Sequence, residues 1–175
     1  VPLKKLISII PYSFDDTIGT FAKITSSSLS ENYLDSAIDF AALERIAEKH
    51  TLTTQANGGY CHFAHNRVLV GKIQNEEGNM LIGIDHDLLH FETNTEKLSM
   101  DYLLKELTSP YVLEQARLLS GGVILGGLSE GEFLSIRIVV PAFEKQNEML
   151  LDDSKKGYAD KSEEVQRTPG IPQSY

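Results

Sequence analysis

Between Leu119 and Leu150 the chain reads LSGGVILGGLSEGEFLSIRIVVPAFEKQNEML, and Pro141 is the residue that most restricts how this stretch can fold. Proline has no N–H to donate and disfavours the helical conformation in the residue before it, so the β-branched run ahead of Pro141 must be extended and a helix can begin only after it. Phe133, Ile136, Ile138 and Val140 mark the expected strand, with Leu128 to Glu132 a turn of its own. Upstream, Gly121, Gly122, Gly126 and Gly127 make a Gly-rich turn that a helix can exit through. Beyond Pro141, Glu144 suits the start of a helix, Lys155 and Lys156 suit its end, and Gly157 reads as a stop. The stretch is a strand-to-helix junction that closes a domain.

The rest of the chain supplies the body of that domain. Val1 to Ile10 reads as a short amphipathic element, and Phe21 and Ile24 mark a strand that leaves into the Ser-rich turn at residues 25 to 30. Asp39 is a suitable N-cap for a short helix over DFAALERIAEKH, ending near His50. Residues Thr51 to Gly59, rich in Thr, Gln, Asn and Gly, read as an exposed contact loop. Val68, Leu69, Val70 and Ile73 then form a strand, which the NEEGN turn at residues 75 to 79 joins to MLIGI as a hairpin. Leu88 to Phe91 makes a further strand or turn. Ser99 caps a helix with Tyr102, Leu103, Leu104 and Leu107 on its apolar stripe, Pro110 ends it, and Tyr111 to Leu119 is a second helix. From Tyr158 onward there is almost no apolar periodicity, which reads as a solvated tail. The fold class expected is α+β: one mixed domain over residues 1 to 150, with a twisted, largely antiparallel sheet, short flanking helices and a C-terminal helix whose end and tail occupy residues 151 to 175.

Charge bears directly on function. The chain carries a formal −9, and residues 1 to 150 alone hold 12 Lys and Arg against 20 Asp and Glu, a balance of −8. Such a surface disfavours indiscriminate polyanion binding, yet a few clustered cations can still make phosphate contacts, because these respond to local potential. No apolar run reaches the roughly 18 to 20 residues a membrane-spanning helix needs, and Pro11, Asp15 and Asp16 interrupt the N-terminal run that superficially suggests a signal peptide. A lone Cys61 fits a reducing compartment, so a soluble, cytoplasmic protein is expected.

Catalytic patterns are missing from the sequence. Neither a Gly-x-Ser-x-Gly elbow nor a phosphate loop is present, and Ser120-Gly121-Gly122 is better explained as a helix exit. His62 and His65 lie beside Cys61, and His86 and His90 are four apart, but those pairs fall in strand or turn, where such spacing does not bring two imidazoles together as it does on a helix face. Surface or hydrogen-bonded core histidines are the simpler reading, and no metal or cofactor is expected.

The stretch from Ile138 to Gln146 resembles the signature that ends the target recognition domain of the specificity (S) subunit of type I restriction-modification enzymes, an extended Ile-Pro-Leu-type run followed by Pro-Pro-Leu-Glu-Glu-Gln opening a helix. Pro141, Glu144 and Gln146 are the matching core, with Ala142 standing where a second proline is common. Upstream, the opening VPL with Lys4-Lys5-Leu6, the segment HNRVLVGKI and the helix MDYLLKELTSP follow the same family order. The resemblance covers most of residues 1 to 150, and one recognition domain is present where many S subunits carry two. It implies sequence-specific binding of double-stranded DNA, with catalysis left to methyltransferase (M) and restriction (R) subunits, docking of a partner through the Pro141, Glu144 and Gln146 region, and pairing of two copies as an option. Because base edges are read by Arg, Lys, Asn and Gln, Lys23, Lys49, Gln55, Asn57, Arg67 and Lys72 are the DNA-contact candidates, each with a solvated side chain as the plainer explanation. Two other classes compete: a protein-interaction module on the same fold that has lost DNA binding, which the charge favours, and a metal-dependent enzyme built on the histidines. Clustered cations would favour the first, scattered ones the second.

Overall fold

The computed structural model describes residues 1 to 15, 19 to 48, 51 to 64, 66 to 76, 78 to 82, 88 to 121 and 127 to 167. The chain forms strands β1 (Ile7–Ile9), β2 (Ser13–Asp15), β3 (Gly19–Ile24), β4 (Arg45–Glu48), β5 (Thr51–Gln55), β6 (Gly58–Ala64), β7 (Arg67–Ile73), β8 (Asn79–Ile82) and β9 (Leu89–Thr93). Helices α1 (Met100–Leu107), α2 (Pro110–Leu119), α3 (Glu130–Ser135) and α4 (Phe143–Arg167) follow. The α+β class holds. The one sheet expected is two, a four-stranded sheet in the order β1-β9-β6-β7 and a five-stranded sheet in the order β2-β5-β8-β3-β4. Among the described strands every pairing is antiparallel except that of β3 with β8. None of the described helices is long and apolar enough to cross a membrane.

Two apolar clusters explain the two sheets. Cys61, Phe63, Val68, Val70, Leu89 and Phe91 face the helices and pack with Leu3, Tyr102, Leu103, Phe133 and Ile136. On the other side, Tyr60 and Ile73 meet Ala22 and Ile24 of β3 together with Ala56 and Leu88. Alternate residues of one strand point to opposite faces, so β6 sends Tyr60 to one cluster and Cys61 and Phe63 to the other. A strand covered on both faces reads as a continuous apolar run, which Val68, Leu69 and Val70 form before Gly71 and Lys72 interrupt it.

The local signals at 99 to 119 are followed. Ser99 Oγ accepts from the Tyr102 N–H at 3.0 Å to open α1, and Pro110 takes a first-turn position of α2. Other expectations fail, each for a non-local reason. The helix from Asp39 to His50 is a single 3-10 turn, Phe40–Ala42, followed by β4; residues 49 and 50 lie outside the described residues. Asp39 still caps, accepting from the Ala41 N–H at 3.2 Å, but pairing with β3, Ile46 opposite Phe21, offers the segment more than a marginal short helix could. Arg45 closes that turn by donating to the Phe40 and Leu43 carbonyls and lying 4.7 Å from the Phe40 ring centroid. The loop expected from Thr51 is β5, whose Thr53 and Thr54 are buried.

The hairpin across residues 75 to 79 is also replaced. β7 turns back on β6 through Asn66, whose φ of 60° is the left-handed conformation an asparagine tolerates. The outer edge of β7 is already occupied by bridges from Ser30 to Val70 and from Ala37 to Lys72, so β8 crosses to the other sheet between β5 and β3. The strand expected from Phe133 starts as α3, held by a capping box in which Ser129 and Glu132 exchange side-chain and backbone bonds. Only the residues after it are extended, with Leu3 N–H bonded to the Ile136 carbonyl at 2.8 Å. The first ten residues are a 3-10 turn, Leu3–Lys5, and then β1.

Helix α4 is longer than expected. Gly157 does not stop it, and it continues to Arg167 through the segment read as a tail; residues 168 to 175 lie outside the described residues. A Cβ at Gly157 would come within 2.8 Å of Leu34 Cδ1, so the glycine serves a close approach. Asp153 ties the same helix down, accepting from Lys105 Nζ and Tyr33 Oη at 2.5 Å each. Partial burial raises the pKa of the Asp153 carboxyl, and the bonds from Lys105 and Tyr33 outweigh it, leaving the value below normal.

The start of α4 is fixed by Gln146, which is fully buried. Its Oε1 accepts from Ser99 N–H at 3.1 Å, and its Nε2 donates to the Lys97 and Pro141 carbonyls at 2.6 and 3.0 Å. One amide thereby joins the cap of α1, the loop before it and the proline exit. Gln146→Leu removes all three bonds and leaves partly buried backbone groups without partners, so chemical denaturation should show a loss of about 1 to 3 kcal/mol with an unchanged m-value.

Candidate nucleic-acid interface

At one end of the four-stranded sheet, the β5–β6 turn, the end of β7 and the end of β9 surround a concavity of about 410 Å³. Its rim carries four side-chain amides, those of Gln55, Asn57, Gln74 and Asn75, together with the carboxylate of Glu92. Buried Ile73 and half-buried Met100 supply its apolar part. All five polar rim residues are exposed. Asn75 has φ 62°, so the chain leaves β7 through a left-handed residue and turns at this rim.

The β5–β6 turn is held from beneath. His90, on β9 and 1% exposed, lies with its Nε2 at 2.9 Å from the Asn57 carbonyl and its Nδ1 at 2.9 Å from Thr54 Oγ1. A carbonyl can only accept, so Nε2 carries a proton, and the Thr54 hydroxyl, which also reaches the Pro11 carbonyl at 3.3 Å, can donate to a neutral Nδ1. The Tyr60 ring stacks on the imidazole at 4.1 Å between centroids and 8° between planes, and the Tyr60 hydroxyl donates to the Ala56 carbonyl at 2.7 Å. Ala56 N–H donates to the Gly78 carbonyl at 3.0 Å, and Asn57 Oδ1 accepts from Glu76 N–H at 3.0 Å. Gly58 is at φ 134°, where a Cβ would lie 2.6 Å from His90 Nε2, so no other residue could close the turn this tightly.

Burial pushes the His90 pKa down to about 4, against the opposing pull of the bond to the Asn57 carbonyl. The imidazole under the turn is therefore neutral at pH 7, held so by its burial.

Of the residues marked in the sequence, Gln55 and Asn57 meet at this rim. The cations do not join them. Arg67 and Lys72 are an odd number of residues apart on β7 and so lie on opposite faces; Arg67 bonds Glu31 at 3.1 Å, and Lys72, on the helix side, pairs with Asp101. Lys23 is half-buried on β3 in the other sheet, and Lys49 lies outside the described residues. Glu144 is exposed and Pro141 half-buried near a second hollow with Phe143, whereas the Gln146 amide is spent inside the fold and is not offered to a partner. Among the described residues no three His, Cys, Asp or Glu side chains converge as metal ligands; His65 and His86 lie outside them.

Gln74, Asn75, Glu92 and His90 were not singled out for this role by sequence reasoning. The dipeptide Gln74-Asn75 directly after an apolar strand was a usable signal, since strand ends and the turns after them are where polar readers sit. Nothing in the sequence announces Glu92 or His90 as neighbours of that turn, because β9 reaches it only through sheet pairing.

No protein-family model matches the sequence, and no curated protein matches it. Among solved structures the chain is similar to one from a structure described as the basis of complex assembly and conformational transition of the type I R-M system. That match has a TM-score of 0.65 at 14% identity, and it covers 95% of this chain and 43% of the other. The likeness is one of fold, and this chain spans less than half the length of that neighbour.

The His90 environment has a measurable consequence. The unfolded chain binds a proton near pH 6.5 and the folded one only near pH 4, so stability is highest above 6.5 and falls as pH drops between those values. The shift corresponds to about 3 kcal/mol at the acid end of that window. Denaturant titrations from pH 7 to pH 4 should show this loss in the wild type, and His90→Gln, less stable at pH 7, should flatten it.

Proposed function

We propose that this chain is a DNA-specificity module of the type I restriction-modification kind, which binds duplex DNA through the amide-rimmed concavity and leaves catalysis to methyltransferase and restriction subunits. The observation that carries the reading is the rim itself. Three of its four amides make no side-chain hydrogen bond among the described residues, and the turn that presents them is fixed from below by His90 and Tyr60. Asn and Gln are the side chains that read adenine N6 and N7 in the major groove. The family resemblance of residues 138 to 146 and the fold likeness both support this reading. On it, residues 1 to 150 are the recognition domain and the exposed part of α4 is the element that reaches a partner subunit.

One observation favours a second reading. Arg67 and Lys72 are paired with carboxylates on opposite faces, so they form no cationic track, and the net charge is −9. A module that had lost DNA binding and kept only its protein contacts would look like this.

A titration separates the two. Random-sequence duplex should bind at low salt and weaken steeply between about 50 and 200 mM, more tightly when a methyltransferase partner is present. Absence of binding at low salt, with and without the partner, would remove the DNA reading and leave the second. Gln55→Ala and Gln74→Ala should each weaken a selected duplex about tenfold while changing random-duplex affinity little, since each amide serves base readout.

A further inference from the structure

Glu92 is out of place in a surface that meets DNA. It lies on β9 two residues from His90, on the same face of the strand, and lines the concavity with the four amides. It is exposed and makes no ion pair or side-chain hydrogen bond among the described residues, and no cation lines the concavity. A carboxylate there opposes every phosphate that approaches, so it lowers affinity for duplex of any sequence. What it can offer in return is discrimination. A carboxylate only accepts hydrogen bonds. It suits the amino groups at adenine N6 and cytosine N4, and it is repelled by the acceptors at guanine O6 and N7 and at thymine O4.

We propose that Glu92 is the specificity-determining residue of the concavity, selecting an amino-bearing base, adenine or cytosine, on the contacted strand and rejecting guanine and thymine there. The inference rests on the DNA reading above. The surrounding amides extend the same logic, since an amide beside the carboxylate can engage adenine N6 and N7 together, whereas guanine, read elsewhere by Arg and Lys, finds no cation among the described residues that line the concavity.

The test is selection of bound duplexes from a random pool, at low salt, with the whole chain as wild type, Glu92→Gln and Glu76→Gln. Glu76 is an exposed acid beside the rim that does not line the concavity, so its variant removes the same charge without the contact. The wild-type pool should contain one position restricted to adenine or cytosine, with guanine or thymine disfavoured about tenfold or more. Glu92→Gln, which can donate as well as accept, should admit guanine and thymine at that position and tighten random-duplex binding severalfold. Glu76→Gln should tighten random binding alike and leave the preference intact. Two results overturn the inference while the DNA reading stands: an unchanged preference in Glu92→Gln, or the same relaxation in Glu76→Gln. Recovery of no duplex by the wild type overturns both.

Discussion

The structure depends on burying the four-stranded sheet on both faces. Its inner strands β6 and β9 carry Phe63 and Phe91 towards the helices, and from the opposite face Tyr60 and His90 turn towards the second sheet. A sheet covered on one face only would leave Tyr60, Ile73 and Leu88 in water. Burying a large side chain contributes roughly 1.5 to 3 kcal/mol, so the packing of the second sheet is part of what makes the first stable. The same two-sided burial explains why His90, a polar side chain, is held neutral and fully bonded: on a covered face an unpaired imidazole would cost more than its hydrogen bonds return.

What the sequence disclosed and what it hid divide along locality. Ser99, the stripe Tyr102, Leu103, Leu104 and Leu107, and Pro110 are all local signals, and α1 and α2 lie where they point. The runs at 21 to 24 and 67 to 73 were legible as strands from Phe21, Ile24, Val68, Val70 and Ile73, and 88 to 91 as a strand or turn. Partners were not legible. Residues 39 to 48 contain good helix formers, yet β3 takes the latter part as an edge strand, and residues 75 to 79 look like a hairpin turn only until segment 30 to 38 is known to occupy the edge of β7. The capping box at Ser129 and Glu132 was present in the sequence, but it was masked by the apolar run beside it. At the candidate site, Gln55 and Asn57 were legible from their residue types, while Glu92 arrives from 35 residues further along the chain.

Glycine illustrates how one residue type carries different meanings. Gly121, at φ 79°, ends α2 in the manner a glycine often does. Gly157 lies in mid-helix, where a local reading takes it as a stop; instead the missing side chain lets α4 approach Leu34, and Lys105, Tyr33 and Asp153 hold that approach. The penalty a glycine imposes on a helix, about 1 kcal/mol relative to alanine, is offset here by tertiary contact.

The clamp on the β5–β6 turn also sets when disorder is lost. Ala56 and Asn57 are held through both their carbonyls, one by Tyr60 and one by His90, before anything approaches the concavity. Ordering a free loop of this size costs about 1 to 2 kcal/mol per residue, and here that cost falls on folding. A ligand of the concavity therefore meets a surface already in its binding shape. Its arrival should be a single collision step without a slow rearrangement, and differences between one ligand and another should be written in how long each stays.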